Sequence, residues 1–179
     1  MKDHLLELLI STRDGQFAAR YSENGLAELN FPVGRASSRA VKQNGRTDLP
    51  VSPDARQRIP AKIRRLHRTT ETALKKILAG RKPKYLPPLD LAGTEFQKSV
   101  WNALRKIPLG KTKSYGEIAR AIGRPKAVRA VGGACGANPI PVLVPCHRVL
   151  AANKRLGGFS GGLDWKRKLL TREKVEVHF

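Results

Sequence analysis

The chain has 179 residues, enough for one domain or two small ones that share a core. Thirty-five Lys and Arg against 14 Asp and Glu leave a formal charge of +21 with 40% apolar residues, so a folded and strongly cationic protein is expected rather than a disordered one. No uninterrupted apolar run approaches the ~18 residues of a membrane span, and Glu7 interrupts the opening apolar cluster, so neither a signal peptide nor a membrane segment is expected.

Residues 5–10, 16–21 and 25–30 are apolar-rich runs separated by Asp14-Gly15 and Asn24-Gly25, dipeptides that supply the positive φ of tight hairpin turns, and a three-stranded antiparallel meander is expected. From Phe31 to about Arg65 the chain turns to Pro, Gly, Ser, Arg and Lys without periodicity, which reads as a basic loop over about 32–65. Leu66, Ala73, Leu74, Ile77 and Leu78 share one helical face, closed by Gly80 and followed by the prolines of a linker. A second unit then begins, giving residues 1–88 and 89–179 as the expected division.

The second unit is well punctuated. Thr94 is placed to cap a helix with Phe96, Val100, Ala103, Leu104 and Ile107 in one stripe, and Ser114 to cap the next, with Glu117 at the capping-box position. After the Gly123 turn a third helix is expected over about 126–137, which makes a helix-turn-helix with its predecessor. A last helix, Leu163 to Lys174, carries Leu163, Lys166, Leu169, Leu170 and Glu173 in one stripe, so a carboxylate is expected to turn inward. The fold class that follows is α+β: a small N-terminal antiparallel sheet with a helix, then a mostly helical part with the helix-turn-helix.

Charge is clustered along this frame. Residues 1–31 carry 3 basic and 5 acidic side chains, residues 32–70 carry 10 and 2, and residues 91–179 carry 17 and 5. Nucleic acid is the polyanion dense enough to exploit such a surface; a solvated basic face that only aids solubility is the plainer reading. The third helix sharpens the choice, because Ala127, Ala130, Gly132 and Gly133 are small and its interior glycines cost about 1 kcal/mol each relative to Ala. Either another helix packs closely there or a nucleic-acid backbone does, with Arg129 as the one long side chain. So few donors suit a shape-driven minor-groove contact better than base reading in the major groove.

Two cysteines are too few for a disulfide framework, and a reducing, intracellular setting is expected. Cys135 lies in the small-residue helix and reads as packing. Cys146 differs: Pro139, Pro141 and Pro145 impose an extended path that delivers Cys146, His147 and Arg148 together, and His and Arg favour the nucleophilic thiolate. Neighbours on a strand face opposite ways, so His147 needs a local bend or a bridging water to assist. An inert buried thiol is the alternative, and two Cys with four scattered His offer no metal-site spacing.

The stretch from Pro145 to Val149 resembles the acceptor site of the O6-alkylguanine-DNA alkyltransferases, the methylated-DNA–protein-cysteine methyltransferases. The resemblance covers about residues 86–173, through Leu89 to Leu91, Gly93 to Gln97, Val100-Trp101, Ile107 to Gly110, Ser114 to Gly116, Arg129 to Gly132, Asn138-Pro139 and Ser160 to Gly162. The first 85 residues match only in layout and lack the cysteines that bind structural zinc in some members.

The resemblance implies DNA repair by irreversible transfer of an alkyl group from O6 of guanine, and by extension O4 of thymine, to Cys146, once per molecule and without metal or cofactor. It implies activation of Cys146 through water by His147, itself oriented by Glu173, with Tyr115 donating to the leaving base and Asn138 as a hinge. Ser160 would donate to O6, and Val149 would accept from the base amine through its carbonyl. Pro141, Gly157 and Phe159 would line the alkyl pocket. Arg129 would fill the gap left by a flipped nucleotide, while Ala127, Ala130, Gly132, Gly133, Ser114 and Tyr115 meet the minor groove. The implied partner is double-stranded DNA, engaged by a cytoplasmic monomer. A non-reacting lesion sensor and a cysteine hydrolase are the competing classes; the first lacks the acceptor cysteine in known members, and the second needs an oxyanion site that cannot be named here.

Overall fold

The computed structural model describes residues 5–32 and 59–176, so most of the expected basic loop lies outside the described residues. The meander forms as read: β1 (Leu6–Thr12), β2 (Gly15–Tyr21) and β3 (Leu26–Asn30) pair antiparallel in that order. Along β2, Phe17, Ala19 and Tyr21 are buried, whereas Arg20 on the other face pairs with Glu28 at 2.9 Å. That is the alternation of a sheet with one covered face. Gly15 adopts φ +114° in its turn, as expected. Gly25 does not use positive φ; its hydrogen matters because a Cβ there would strike the Pro88 carbonyl. The linker thus lies along β3, with Leu26 donating to Pro88 at 2.9 Å and Asp90 donating to Leu26 at 2.8 Å.

Helix α1 runs Ala61–Leu78, beginning five residues before the expected start at Leu66. The end of the basic stretch is therefore helix: Lys62, Arg64 and Arg65 face water around a buried Ile63, and one apolar residue among cations left no visible period. Helices α2 (Glu95–Arg105) and α3 (Tyr115–Ala121) begin on full capping boxes, Thr94 with Gln97 and Ser114 with Glu117. Helix α4 spans Val128–Gly136, slightly shorter than expected. The short strands β4 (Lys113–Ser114) and β5 (Val149–Leu150) pair in parallel, and α5 spans Leu163–Arg172. Expected to continue to Lys174, α5 stops at its cap residue Glu173.

One hydrophobic core joins both halves of the chain, from Phe17 and Leu26 in the sheet through Leu74 of α1, Trp101 of α2 and Val131 of α4 to Leu169 of α5. The Trp101 indole donates to the Ala134 carbonyl at 2.8 Å and fixes α4 on α2. No described helix is long and apolar enough to cross a membrane.

Candidate active site

The segment before Cys146 is not extended. Proline only restricts φ, and here the chain folds into a turn, with Val144 donating back to Ile140 at 2.9 Å and Val142 at φ +74°. A β-branched residue rarely adopts that conformation. Asn138 stitches the turn together: its Oδ1 accepts from Ile140 at 3.0 Å, and its Nδ2 donates to the Val144 carbonyl at 2.9 Å and to Sγ of Cys146 at 3.1 Å. Cys146–Arg148 then form a single 3-10 turn, the bend that the sequence required. Within that turn Cys146, His147 and Arg148 are all buried.

His147 Nε2 meets Glu173 Oε1 at 3.0 Å. Arg148 grips the same carboxylate through Nε at 2.8 Å and Nη2 at 2.8 Å, while its Nη1 donates to the Ile107 carbonyl at 2.8 Å. Burial alone would raise Glu173, but the hydrogen bonds from His147 and Arg148 outweigh it and hold the carboxyl at about 2. An ionised Glu173 accepts, so Nε2 carries the His147 proton and Nδ1 presents a lone pair. That Nδ1 is buried and has no hydrogen-bond partner among the described residues.

Burial pushes the Cys146 thiol up, against the Asn138 hydrogen bond and the nearby Lys166 charge, and pushes His147 down despite Glu173. The resting pair is therefore thiol and neutral imidazole, not the thiolate expected from adjacent cations. Arg148, read from sequence as support for the thiolate, is committed to Glu173.

Cys146 reaches a cavity of about 510 Å³ lined by Tyr115, Gly132, Cys135, Gly136, Gly158, Phe159 and Ser160. Four of the expected site residues thus surround the sulfur, and Cys135, read as packing, is part of the wall. Burial raises the Tyr115 phenol to about 12, which keeps it a donor near neutrality. Gly157, at φ +63°, lies beside it: a Cβ there would come within 3.1 Å of the Tyr115 hydroxyl. Pro141 belongs to the buried turn, where it bridges to Val144, and Ser114 serves as the α3 cap. The Val149 carbonyl accepts from Lys166.

Lys166 is the residue that sequence reasoning left without a role. It is fully buried, and its ammonium donates to the carbonyls of Val149 at 2.7 Å, Leu156, and Gly158 at 3.2 Å. Burial lowers it to about 8. Its place in the apolar stripe of α5 was the available signal, since a lysine that faces a core must be paid in hydrogen bonds.

Outside the cavity, Arg129, Ala130 and Gly133 form an exposed face of α4, with Ala127 half-buried at its start. Among the described residues, a Cβ on Gly133 or Gly136 would meet nothing within 4 Å, so packing against a described helix does not explain these glycines.

The sequence profile described as "6-O-methylguanine DNA methyltransferase, DNA binding domain" matches residues 95–175. A methylated-DNA–protein-cysteine methyltransferase of Methanosarcina acetivorans is 53% identical over 106 residues, 59% of this chain and 68% of that one. The inducible enzyme of that name from Bacillus subtilis is 53% identical over 97 residues, 54% of each chain, so the match spans about half the length of that relative. The crystal structure of Mycobacterium tuberculosis OGT in complex with DNA superposes with a TM-score of 0.69 at 37% identity, over 93% of this chain and 91% of the other. The chain belongs to the methylated-DNA–protein-cysteine methyltransferase family. The family's α+β arrangement extends over the N-terminal sheet as well, where the sequence resemblance was one of layout alone.

Proposed function

We propose that the protein repairs DNA by moving an alkyl group from O6 of guanine onto Sγ of Cys146, irreversibly and once per molecule. The observation that carries this reading is the sulfur at a cavity wall, held by Asn138 and followed by a buried His147 whose bare Nδ1 is backed by an ionised Glu173. In the reaction the thiol proton passes to His147 Nδ1 through a water, the sulfur lone pair forms the S–C bond, and the C–O6 bond electrons stay on guanine. The base gains the proton that the thiol loses, so the step balances without a cofactor. A phenol held at about 12 stabilises the departing base by donation from Tyr115, and Ser160 donates to O6. The pair is neutral at rest because burial disfavours both charges, so the thiol proton moves to His147 only as the S–C bond forms.

A stacked base cannot be reached in line, so the nucleotide is extruded. The small exposed face of α4 suits the minor groove of a duplex, with Arg129 entering the vacated stack. Binding as a monomer to intracellular DNA fits this reading. Exposure to a duplex carrying O6-methylguanine adds one methyl mass to the peptide containing Cys146, and nothing to Cys146→Ala; wild-type protein that stays unmodified after full exposure refutes the function.

A further inference from the structure

The cavity wall formed by Gly158, Phe159 and Ser160 is held from two sides. From within, Lys166 binds the Leu156 and Gly158 carbonyls. From without, the support comes from the N-terminal sheet. Phe31, which follows β3, sets its ring against the backbone of Gly161, where an added Cβ would lie 2.5 Å from the ring. The same ring meets Phe159 edge-on, with centroids 5.7 Å apart at 72°. Behind it stand Trp165 at 4.9 Å and the fully buried Phe17 at 5.6 Å, so the ring is backed by core. Phe159 is thereby confined between Phe31 and the His147 ring, 6.4 Å away.

We propose that Phe31 is a specificity-determining residue: by confining Phe159 it limits the size of the alkyl group that Cys146 accepts. The proposal rests on the alkyl-transfer reading, and it makes the segment after β3 a support of the pocket wall. Loss of the ring lets Phe159 move away from His147 and enlarges the space beside the sulfur. An aliphatic replacement retains bulk but not the edge-to-face contact that sets the Phe159 orientation.

Single-turnover transfer rates from duplexes containing O6-methylguanine and O6-benzylguanine test it. Phe31→Leu raises the benzyl-to-methyl rate ratio about fivefold, the change expected from losing one aromatic pair. Phe31→Tyr keeps the wild-type ratio. Ile10→Val, in the core of the same sheet, lowers the melting temperature and leaves the ratio alone, which separates positioning from stability. Phe31→Met takes the place of Phe31→Leu if the latter does not fold. A double variant with Phe159→Leu adds nothing beyond Phe159→Leu alone. An unchanged ratio in Phe31→Leu, or an equal change in Ile10→Val, overturns the proposal. Wild-type protein that reacts with neither duplex overturns the alkyl-transfer reading instead.

Discussion

At the scale of single residues, the acceptor depends on groups that set its charge without reacting. Asn138 favours the thiolate of Cys146 through one hydrogen bond, so Asn138→Ala moves the alkaline limb of the transfer rate toward higher pH. A pH–rate profile measured under single turnover checks it. Lys166 titrates with a midpoint of about 8, visible by NMR in protein with labelled lysine, and Lys166→Met removes that resonance while costing about 2 kcal/mol through three carbonyls left without their donor. His147 is held neutral by burial below its ordinary 6.5. Its contribution to stability is therefore complete above 6.5 and declines as pH falls below it, because the unfolded chain takes up the proton first. Urea denaturation at stepped pH, compared with His147→Phe, isolates that slope.

Among the elements, α4 poses the sharpest conflict between local propensity and use. Two interior glycines weaken a nine-residue helix, and Gly133 makes no contact among the described residues that requires the missing Cβ. Gly133→Ala accordingly stabilises the protein by up to about 1 kcal/mol while weakening its affinity for duplex DNA severalfold. Thermal melts and titrations at fixed salt measure the two opposed signs; a substitution neutral for binding removes the minor-groove assignment of this face. The capping boxes of α2 and α3 show no such conflict. Thr94 and Ser114 were readable because a cap and its reciprocal partner lie three residues apart, a local relation that tertiary context leaves intact. The start of α1 was not readable, since its first turn is nearly all cationic and its helical state depends on Ile63 reaching the shared core.

Across the whole molecule, the first hairpin reaches the last helix. Asp14, in the turn between β1 and β2, accepts from Arg172 at 2.7 and 2.9 Å and pairs with Lys168 at 2.7 Å. Arg172 precedes Glu173, so this contact ties the N-terminal sheet to the carboxylate behind His147. The Arg172 hydrogen bonds hold the Asp14 carboxyl well below its ordinary 3.8, although burial works the other way. Asp14→Asn destabilises the chain by about 2 kcal/mol at neutral pH. The depressed carboxyl stabilises the fold fully above 3.8 and loses that effect in more acid solution, so the difference from wild type narrows below that pH. Denaturation curves of both proteins at neutral and acid pH give the comparison. Residues 1–88 and 89–179, proposed as two units, are joined by this pair, by the linker along β3 and by the aromatic group around Phe31.

The sequence by itself determined the strands, the caps, the paired helices α3 and α4, the cationic balance and the adjacency of Cys146, His147 and Arg148, because each is encoded in residues a few positions apart. Tertiary structure decided the rest. The neutral resting state of Cys146 and His147 comes from burial, which no local pattern reports. Arg148 was assigned to the sulfur because the two are near neighbours in sequence, whereas its partner Glu173 is 25 positions away. Cys135 lines the cavity, and Lys166 and Phe31 touch its wall at Gly158 and Phe159, only because α4, α5 and the end of β3 converge, and a hydrogen bond or ring contact between distant segments leaves no periodic trace in the chain.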